Sequence, residues 1–234
     1  MSQQNPQDAL LSVVIPVFNE RDTIEEVVRR VRATSWRKEI IIVDDASTDG
    51  TRDALARLTG EDLRIFYHER NQGKGAALRT GFAQTRGDYV LVQDADLEYD
   101  PQDYGQLLQP LLDGRADAVY GSRFLSGPHR VLLFWHRLGN ALMTTLSNMM
   151  TNLDLSDMET GYKVFRGDLI RSIRIRCDRF GVEPELTAKL ARRHARIYET
   201  PISYSGRDYN EGKKITWRDG VAALWHIFRF KFFD

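Results

Sequence analysis

The sequence predicts an α/β fold, a single domain whose mostly parallel sheet carries helices on both faces. Two observations predict it. The first half of the chain alternates short apolar runs with amphipathic stretches at helical spacing. Those apolar runs are dense rather than alternating, as strands covered on both sides require. Leu10 to Phe18 reads as the first strand. Asp22 to Ala33 follows as a helix, with Ile24, Val27, Val28 and Val31 at helical spacing. The pattern repeats as strand Glu39 to Val43 with helix Thr51 to Leu58, then strand Leu63 to Tyr67 with helix Gly75 to Thr85. Strand Tyr89 to Gln93, helix Tyr104 to Leu112 and a short strand Ala118 to Tyr120 complete the series. No GxGxxG follows the first strand, which argues against an ordinary dinucleotide site.

The second half breaks this rhythm. Val131 to Asn152 is helical in pattern and rich in Leu, Met and Trp. A strand over Tyr162 to Phe165, a helix over Pro184 to Arg193 and a strand over Ile197 to Tyr204 follow. A terminal amphipathic helix is expected over Thr216 to Phe233. No repeat or low-complexity linker divides the chain, so one domain over residues 1–234 is the expectation.

Composition narrows the function. The 33 basic and 33 acidic residues cancel, so no global field favours nucleic acid. The lone cysteine, Cys177, excludes an internal disulfide and a cysteine-based zinc site, and fits a reducing compartment. The polar first residues lack a signal-peptide pattern, and no run of about 18 apolar residues occurs. A cytosolic protein, able to touch a membrane, is expected.

The most informative stretch is Tyr89 to Pro101, YVLVQDADLEYDP. If the chain stays extended past the strand, Asp94, Asp96 and Glu98 point to the same side. Carboxylates gathered at a strand's carboxyl end repel one another unless a cation sits among them. All-oxygen ligation suits Mg²⁺ or Mn²⁺, which in turn commonly hold a substrate diphosphate. Acidic residues also end strands as turn formers and helix caps, and Asp100 before Pro101 reads as an N-cap. Two further acidic elements end earlier strands, Pro16-Val17-Phe18-Asn19-Glu20 and Asp44-Asp45-Ala46-Ser47. In a parallel sheet all three lie along one edge, where open α/β folds bind ligands.

Basic groups complement them. Asn71-Gln72-Gly73-Lys74-Gly75 precedes a helix and reads either as a phosphate contact or as a plain strand-to-helix turn. Arg123 follows the fifth strand, where a guanidinium can hold phosphate in bidentate fashion. Arg207, Lys213 and Lys214 share one glycine-containing loop.

Taken in order, VVIPVFNE, IIIVDDASTDGT, NQGKGAALRTGF, QDADLEYDP, GSRF, DMETGYKVFR, FGVEPELTAKL and PISYSGRDYNEGKKITWRDG carry a resemblance. From about Leu11 to about Trp225 the chain resembles the family 2 glycosyltransferases of the GT-A fold, in the branch of polyprenyl-phosphate sugar synthases. The resemblance implies a nucleotide-sugar and metal-binding half over about 10–125, and an acceptor half with a basic loop over about 126–215. Residues 216–234 would then meet a membrane interface or a partner subunit. It implies that Pro16, Phe18, Glu20, Val43 and Asp45 line the base and ribose site, and that Lys74, Asp94, Ala95 and Asp96 bind the donor. The metal ligands would be Asp94, Asp96 and Glu98. Arg123 and Arg137 would meet the acceptor phosphate, while Arg207 and Lys213 close over the donor diphosphate.

The reaction implied is inverting transfer of a hexose from a nucleotide diphosphate sugar, GDP-mannose or UDP-glucose, to a polyprenyl phosphate. Asp96, Arg123, Arg207 and Lys213 would be its catalytic residues. A phosphate monoester is already largely dianionic at neutral pH and needs no protein base, although Glu183 and Glu185 lie near in sequence. The DMETGYK segment resembles the glucose-synthase type and leaves the sugar open. Two segments offer membrane contact or, alternatively, read as a core helix or a protein-partner surface: Val131 to Trp135 with its basic rim, and the aromatic and basic terminal segment. The rival readings are a family 2 enzyme using a soluble or protein-bound glycan, and a non-catalytic nucleotide-sugar-binding subunit.

Overall fold

In the computed structural model the described residues are 9–125, 134–179 and 181–206, with Trp225, Ile227 and Arg229. Strands β1 (Leu11–Val17), β2 (Lys38–Asp44), β3 (Leu63–Tyr67) and β4 (Tyr89–Val92) alternate with helices α1 (Ile24–Ala33), α2 (Thr51–Arg57) and α3 (Lys74–Ala83). A single 3₁₀ turn, Pro101–Asp103, then leads into α4 (Tyr104–Leu112), β5 (Ala118–Ser122) and α5 (Phe134–Thr151). The remainder comprises β6 (Lys163–Arg166), α6 (Gly167–Ser172), α7 (Val182–Arg192) and β7 (Ile197–Pro201).

The strands form one sheet in the order β3-β2-β1-β4-β6-β5-β7. All pairings are parallel except those of β6, which runs antiparallel to both β4 and β5. The reversal matters for the site. It brings the segment that enters β6, rather than the one that leaves it, to the edge where β1, β2, β4 and β5 end.

Residue alternation sorts the core into two layers. Leu11, Val13, Ile15 and Val17 of β1 pack on one side with Ile24, Val27, Val28 and Val31 of α1, and with Leu107, Leu108 and Leu111 of α4. Val14, Ile41 and Val43 face the other side, against Ala77, Leu78 and Phe82 of α3 and Val182, Leu186 and Leu190 of α7. Central β1 is buried almost throughout, whereas the outer strands β3 and β7 are only partly covered. This is the expected pattern for a sheet sandwiched between helices. The fold is a single α/β domain, as the sequence predicts.

Departures from the expected elements have local causes. The strand expected over Ile197 to Tyr204 stops at Pro201, and Tyr204 instead makes an isolated bridge to Tyr99. Proline cannot donate to a ladder, so the chain leaves the sheet there. Asp100 accepts from the Gln102 N–H, which makes it the expected cap of the turn that Pro101 opens. Helix α6 is too short to show a period and is absent from the sequence reading. Of the expected terminal helix, Trp225, Ile227 and Arg229 are helical, and Ile227 is buried against the second layer. Its other positions lie outside the described residues. No helix among the described residues is long and apolar enough to cross a membrane.

A buried tyrosine cluster fixes the start of α4. The Tyr104 hydroxyl donates to Gln93 Oε1 at 3.0 Å, and the single proton of the Tyr162 hydroxyl is shared between Gln93 Oε1 and the Asp100 carbonyl, each at 3.0 Å. Tyr162→Phe leaves the Asp100 carbonyl and one Gln93 bond unmade in a dry site. It should lower the unfolding free energy by about 1–3 kcal/mol, read from urea denaturation.

Candidate active site

Because β1, β2 and β4 are parallel neighbours, the loops after Val17, Asp44 and Val92 open on one sheet edge. The three acidic elements are thereby gathered as the sequence predicts. Each loop holds a non-glycine residue in the left-handed region, Asn19 at φ 55°, Ala46 at 61° and Leu97 at 63°. Backbone held in this sparsely populated region clusters at functional sites. Asn19 and Glu20 donate their N–H groups to Ser47 Oγ and Thr51 Oγ1, at 2.9 Å each, which knits the first two loops together. Pro16 pairs in register with buried Val43, and Phe18 keeps about a third of its surface exposed at 36%.

Asp45 is engaged differently from the expectation of an open ribose ligand. It is buried, and its carboxylate accepts from His68 Nδ1 at 2.7 Å, the Gln72 N–H at 2.9 and 3.1 Å, and the Gly73 N–H at 2.6 Å. His68 Nε2 in turn lies 3.0 Å from Thr80 Oγ1. The side chain therefore shapes the turn that starts α3. The Ala76 N–H bonds to the Asp178 carbonyl at 3.0 Å. Gln72, Gly73 and Ala76 thus spend their N–H groups on protein partners, so the NQGKG segment is built as a strand-to-helix turn. Its lysine side chain is another matter.

The alternation argument for Asp94, Asp96 and Glu98 fails on geometry, because the chain turns at Ala95 and Asp96 instead of staying extended. Asp96 Oδ1 accepts the Glu98 N–H at 3.1 Å, and Glu98 Oε2 accepts from the Tyr204 hydroxyl at 2.9 Å. Among the described residues, no three Asp, Glu, His or Cys side chains form a metal-holding group. A magnesium-like ion does not need three. It is commonly bound by one or two carboxylates plus substrate phosphate oxygens and water. Asp94 and Asp96 are two residues apart at the turn after β4, which is the number of carboxylates such an ion needs, and the Asp94 carboxylate is paired to Lys74.

Behind Asp94 lies a charged layer. Lys74 Nζ is 2.9 Å from Asp94 Oδ1 and 3.4 Å from Glu183 Oε1. Burial opposes its charge, but the two carboxylates outweigh that penalty and push the Lys74 pKa up. Gly161 passes directly over the pair, and a Cβ there would collide with Asp94 Oδ2. Glu159 Oε1 and Glu183 Oε2 are sealed from solvent and have no hydrogen-bond partner among the described residues. Although Glu159 keeps some exposed surface as a residue, burial of its carboxyl, reinforced by the charge of Glu183, pushes its pKa up to about 8. Lys163 donates to the carbonyls of Met158 and Thr160, and sits 4.5 Å from the Tyr120 ring centre. Burial lowers its pKa to about 8 against the pull of Glu183 and Glu159.

Arg123, just beyond β5, reaches fully buried Asp157 through Nε and Nη2, each at 2.7 Å. Nη2 also lies 3.1 Å from Asn140 Oδ1 on α5. Burial works against the guanidinium charge, yet the Asp157 carboxylate holds its pKa well up. Glu199 on β7 accepts the N–H groups of Ser156 and Asp157 at 2.8 to 3.0 Å. The Phe124 ring centre is 5.6 Å from the Arg123 guanidinium carbon and 5.9 Å from that of exposed Arg137. Arg207 and Lys213 lie outside the described residues, as does Lys214.

The two acidic residues considered as bases part company. Glu185 is buried and accepts the N–H groups of Arg176 and Cys177 at 2.7 Å each and Lys189 Nζ at 2.6 Å, so it braces the chain before α7. Glu183 faces Lys74. Sequence reasoning gave no role to Asp157, Glu159, Gly161 or Lys163. Their signal was the DMETGYKVFR motif, read only as a whole for the family and the sugar and never residue by residue.

A family model described as glycosyl transferase family 2 matches residues 12–174. The chain belongs to glycosyl transferase family 2. This glycosyltransferase is 32% identical to the undecaprenyl-phosphate mannosyltransferase of Micrococcus luteus, over 92% of this chain and 96% of that protein. It is 30% identical to the polyprenol monophosphomannose synthase of Mycolicibacterium smegmatis, over 86% and 79% respectively. A similar solved structure is glucosyl-3-phosphoglycerate synthase of Mycobacterium tuberculosis, in complex with Mn²⁺, uridine diphosphate and phosphoglyceric acid. The TM-score is 0.75 at 22% identity, covering 97% of this chain and 80% of that one. At that identity the likeness is one of fold.

Two predictions arise here. Gly161→Ala should push Asp94 and Lys74 apart and cut sugar transfer by about 100-fold, with circular dichroism unchanged. The second concerns pH. Glu159 binds its proton more tightly folded than unfolded, so its contribution to stability is present below the ordinary glutamate pKa and is lost as pH rises towards about 8. Glu159→Gln should remove that loss and raise Tm at pH 8 by about 2–4 °C relative to its effect at pH 4.5.

Proposed function

We propose that this glycosyltransferase moves a hexose, with inversion, from a nucleotide diphosphate sugar to a polyprenyl phosphate. GDP-mannose or UDP-glucose is the donor. The observation that carries the acceptor half is the placing of Arg123 and Arg137 around Phe124, at the start of a helix with an apolar outer face. Phe134, Trp135, Leu138, Leu142 and Met149 of α5 are all exposed. Two guanidiniums beside such a face suit a phosphate carried on a hydrocarbon chain. The names of the two relatives above, an undecaprenyl-phosphate mannosyltransferase and a polyprenol monophosphomannose synthase, support the same acceptor class.

For the donor, Phe18 offers a partly exposed ring to the base, beside Pro16 and Glu20, with Val43 buried in the core behind them rather than lining the site, while Asp45 fixes the turn that carries Lys74. Asp94 and Asp96, next to Ala95, would hold a Mg²⁺ or Mn²⁺ ion, with Glu98, now bonded to Tyr204, as a further ligand. When bound, that ion offsets the negative charge of the departing diphosphate. Lys74, set between Asp94 and Glu183, offsets their charge under the same site, and Arg207 and Lys213, in the sequence after Gly206, add positive charge. Arg123 and Arg137 align the acceptor phosphate, a dianion at neutral pH that attacks the anomeric carbon without a protein base. The enzyme works at the cytosolic membrane face through peripheral contact, by α5 and the terminal segment or through a membrane-bound partner subunit.

The test incubates the protein with a panel of nucleotide sugars, a polyprenyl phosphate and Mg²⁺ or Mn²⁺, and identifies the glycolipid by mass. One hexosyl phosphoprenol is expected, lost with chelator and regained with either ion. Asp96→Asn should lower the rate by about 1000-fold. Absence of product from every donor, together with absence of metal-dependent nucleotide binding, would overturn the reading.

A further inference from the structure

Arg123 and Arg137 differ in how they are held. Asp157 fills the side-on fork of Arg123, with Nε on Oδ2 and Nη2 on Oδ1, and Asn140 takes Nη2 as well. Nη1 stands outside this network among the described residues. Asp157 is itself fixed, since Glu199 accepts its N–H at 3.0 Å and Asn140 Nδ2 donates to its Oδ1 at 3.3 Å. A fully buried carboxylate in a two-point pair with a guanidinium leaves the pair neutral. Such an arginine offers directed hydrogen bonds but no net charge.

Arg137 has the complementary character. It is exposed, and it lies three residues before Asn140 on α5, so both project from one face of the helix. Docking of Asn140 on the Arg123–Asp157 pair therefore brings Arg137 alongside. The Phe124 ring lies within cation–π range of both guanidiniums. Two bare guanidiniums around one ring would repel each other, and the carboxylate of Asp157 removes that conflict.

We propose that Asp157 and Phe124 are positioning residues for the acceptor phosphate. Asp157 locks Arg123 edge-on and cancels its charge, and Phe124 holds Arg123 beside Arg137, which supplies the net positive charge. This division of labour rests on the polyprenyl-phosphate reading above.

The experiment measures steady-state kinetics and calorimetric binding with citronellyl phosphate, a soluble isoprenyl phosphate, over a range of salt concentrations. Phe124→Leu should raise the acceptor KM about 5-fold with kcat and donor KM little changed, and Phe124→Tyr should restore it. Added to Arg137→Gln, Phe124→Leu should have no further effect. Asp157→Asn should act the opposite way. It frees the charge of Arg123 but loosens its aim, so kcat falls about 30-fold while acceptor KM holds or drops and depends more steeply on salt. Donor and acceptor KM rising together in the Phe124 and Asp157 variants would show a merely structural role and overturn the proposal. If Asp157→Asn does not fold, the Phe124 series and its double variant decide alone. Wild-type protein that neither binds nor glycosylates the isoprenyl phosphate would overturn the acceptor reading and this inference with it. Binding by wild type with indifferent variants would overturn the inference only.

Discussion

Charge is buried beneath the strand ends of this sheet, and nearly every buried charge is answered by an opposite one. Lys74 is set between Asp94 and Glu183, Arg123 is locked on Asp157, and Lys189 covers Glu185. Removing one member of such a pair strands the other in a poor solvent, at a cost of about 3–5 kcal/mol. The loops that bear these groups consequently hold one another in place. Glu199 braces the Asp157 segment, Asp157 braces Arg123, and Arg123 lies 5.2 Å from the centre of the Tyr204 ring. Tyr204 in turn bonds Glu98, in the acidic segment that follows β4. A chain of polar contacts thus links the donor side of the edge to its acceptor side.

Two oxygens break the pattern. Glu159 Oε1 and Glu183 Oε2 are shut away from water without partners, and the first belongs to a carboxyl that favours its proton up to about pH 8. Buried polar atoms are nearly always satisfied in native proteins, and exceptions mark strain or function. Here Glu183 adjoins the lysine that touches Asp94, and the Glu159 carboxyl feels the charge of Glu183. Asn19, Ala46 and Leu97, three of the five non-glycine residues with positive φ among the described residues, lie in the loops of the same edge.

The order and type of the elements were legible because dense apolar runs and 3.6-residue periods are local signals. The gathering of three acidic loops was legible too, since it needs only parallel neighbours. What escaped depended on contacts between distant segments. Asp45 looked like an open ligand until His68 and the turn at Gln72 closed on it. The extended-chain argument failed because the chain turns at Ala95 and Asp96 and then passes through a left-handed residue, Leu97, and nothing in an alanine or a leucine announces that. Asp157 and Glu159 could not be assigned from composition, since a buried carboxylate and a solvated one look alike in a sequence.

The reversed strand β6 has a consequence for how the molecule is made. It lies between β4 and β5, two strands that are neither adjacent in the sheet nor complete without it. Until residues 163–166 have left the ribosome, β4 and β5 each present an unpaired edge of apolar sequence. Such edges recruit other chains. A nascent chain whose residues 163–166 are still inside the ribosome would therefore be more prone to aggregate than one in which they have emerged, and the outer edge of β5 stays open until β7 follows.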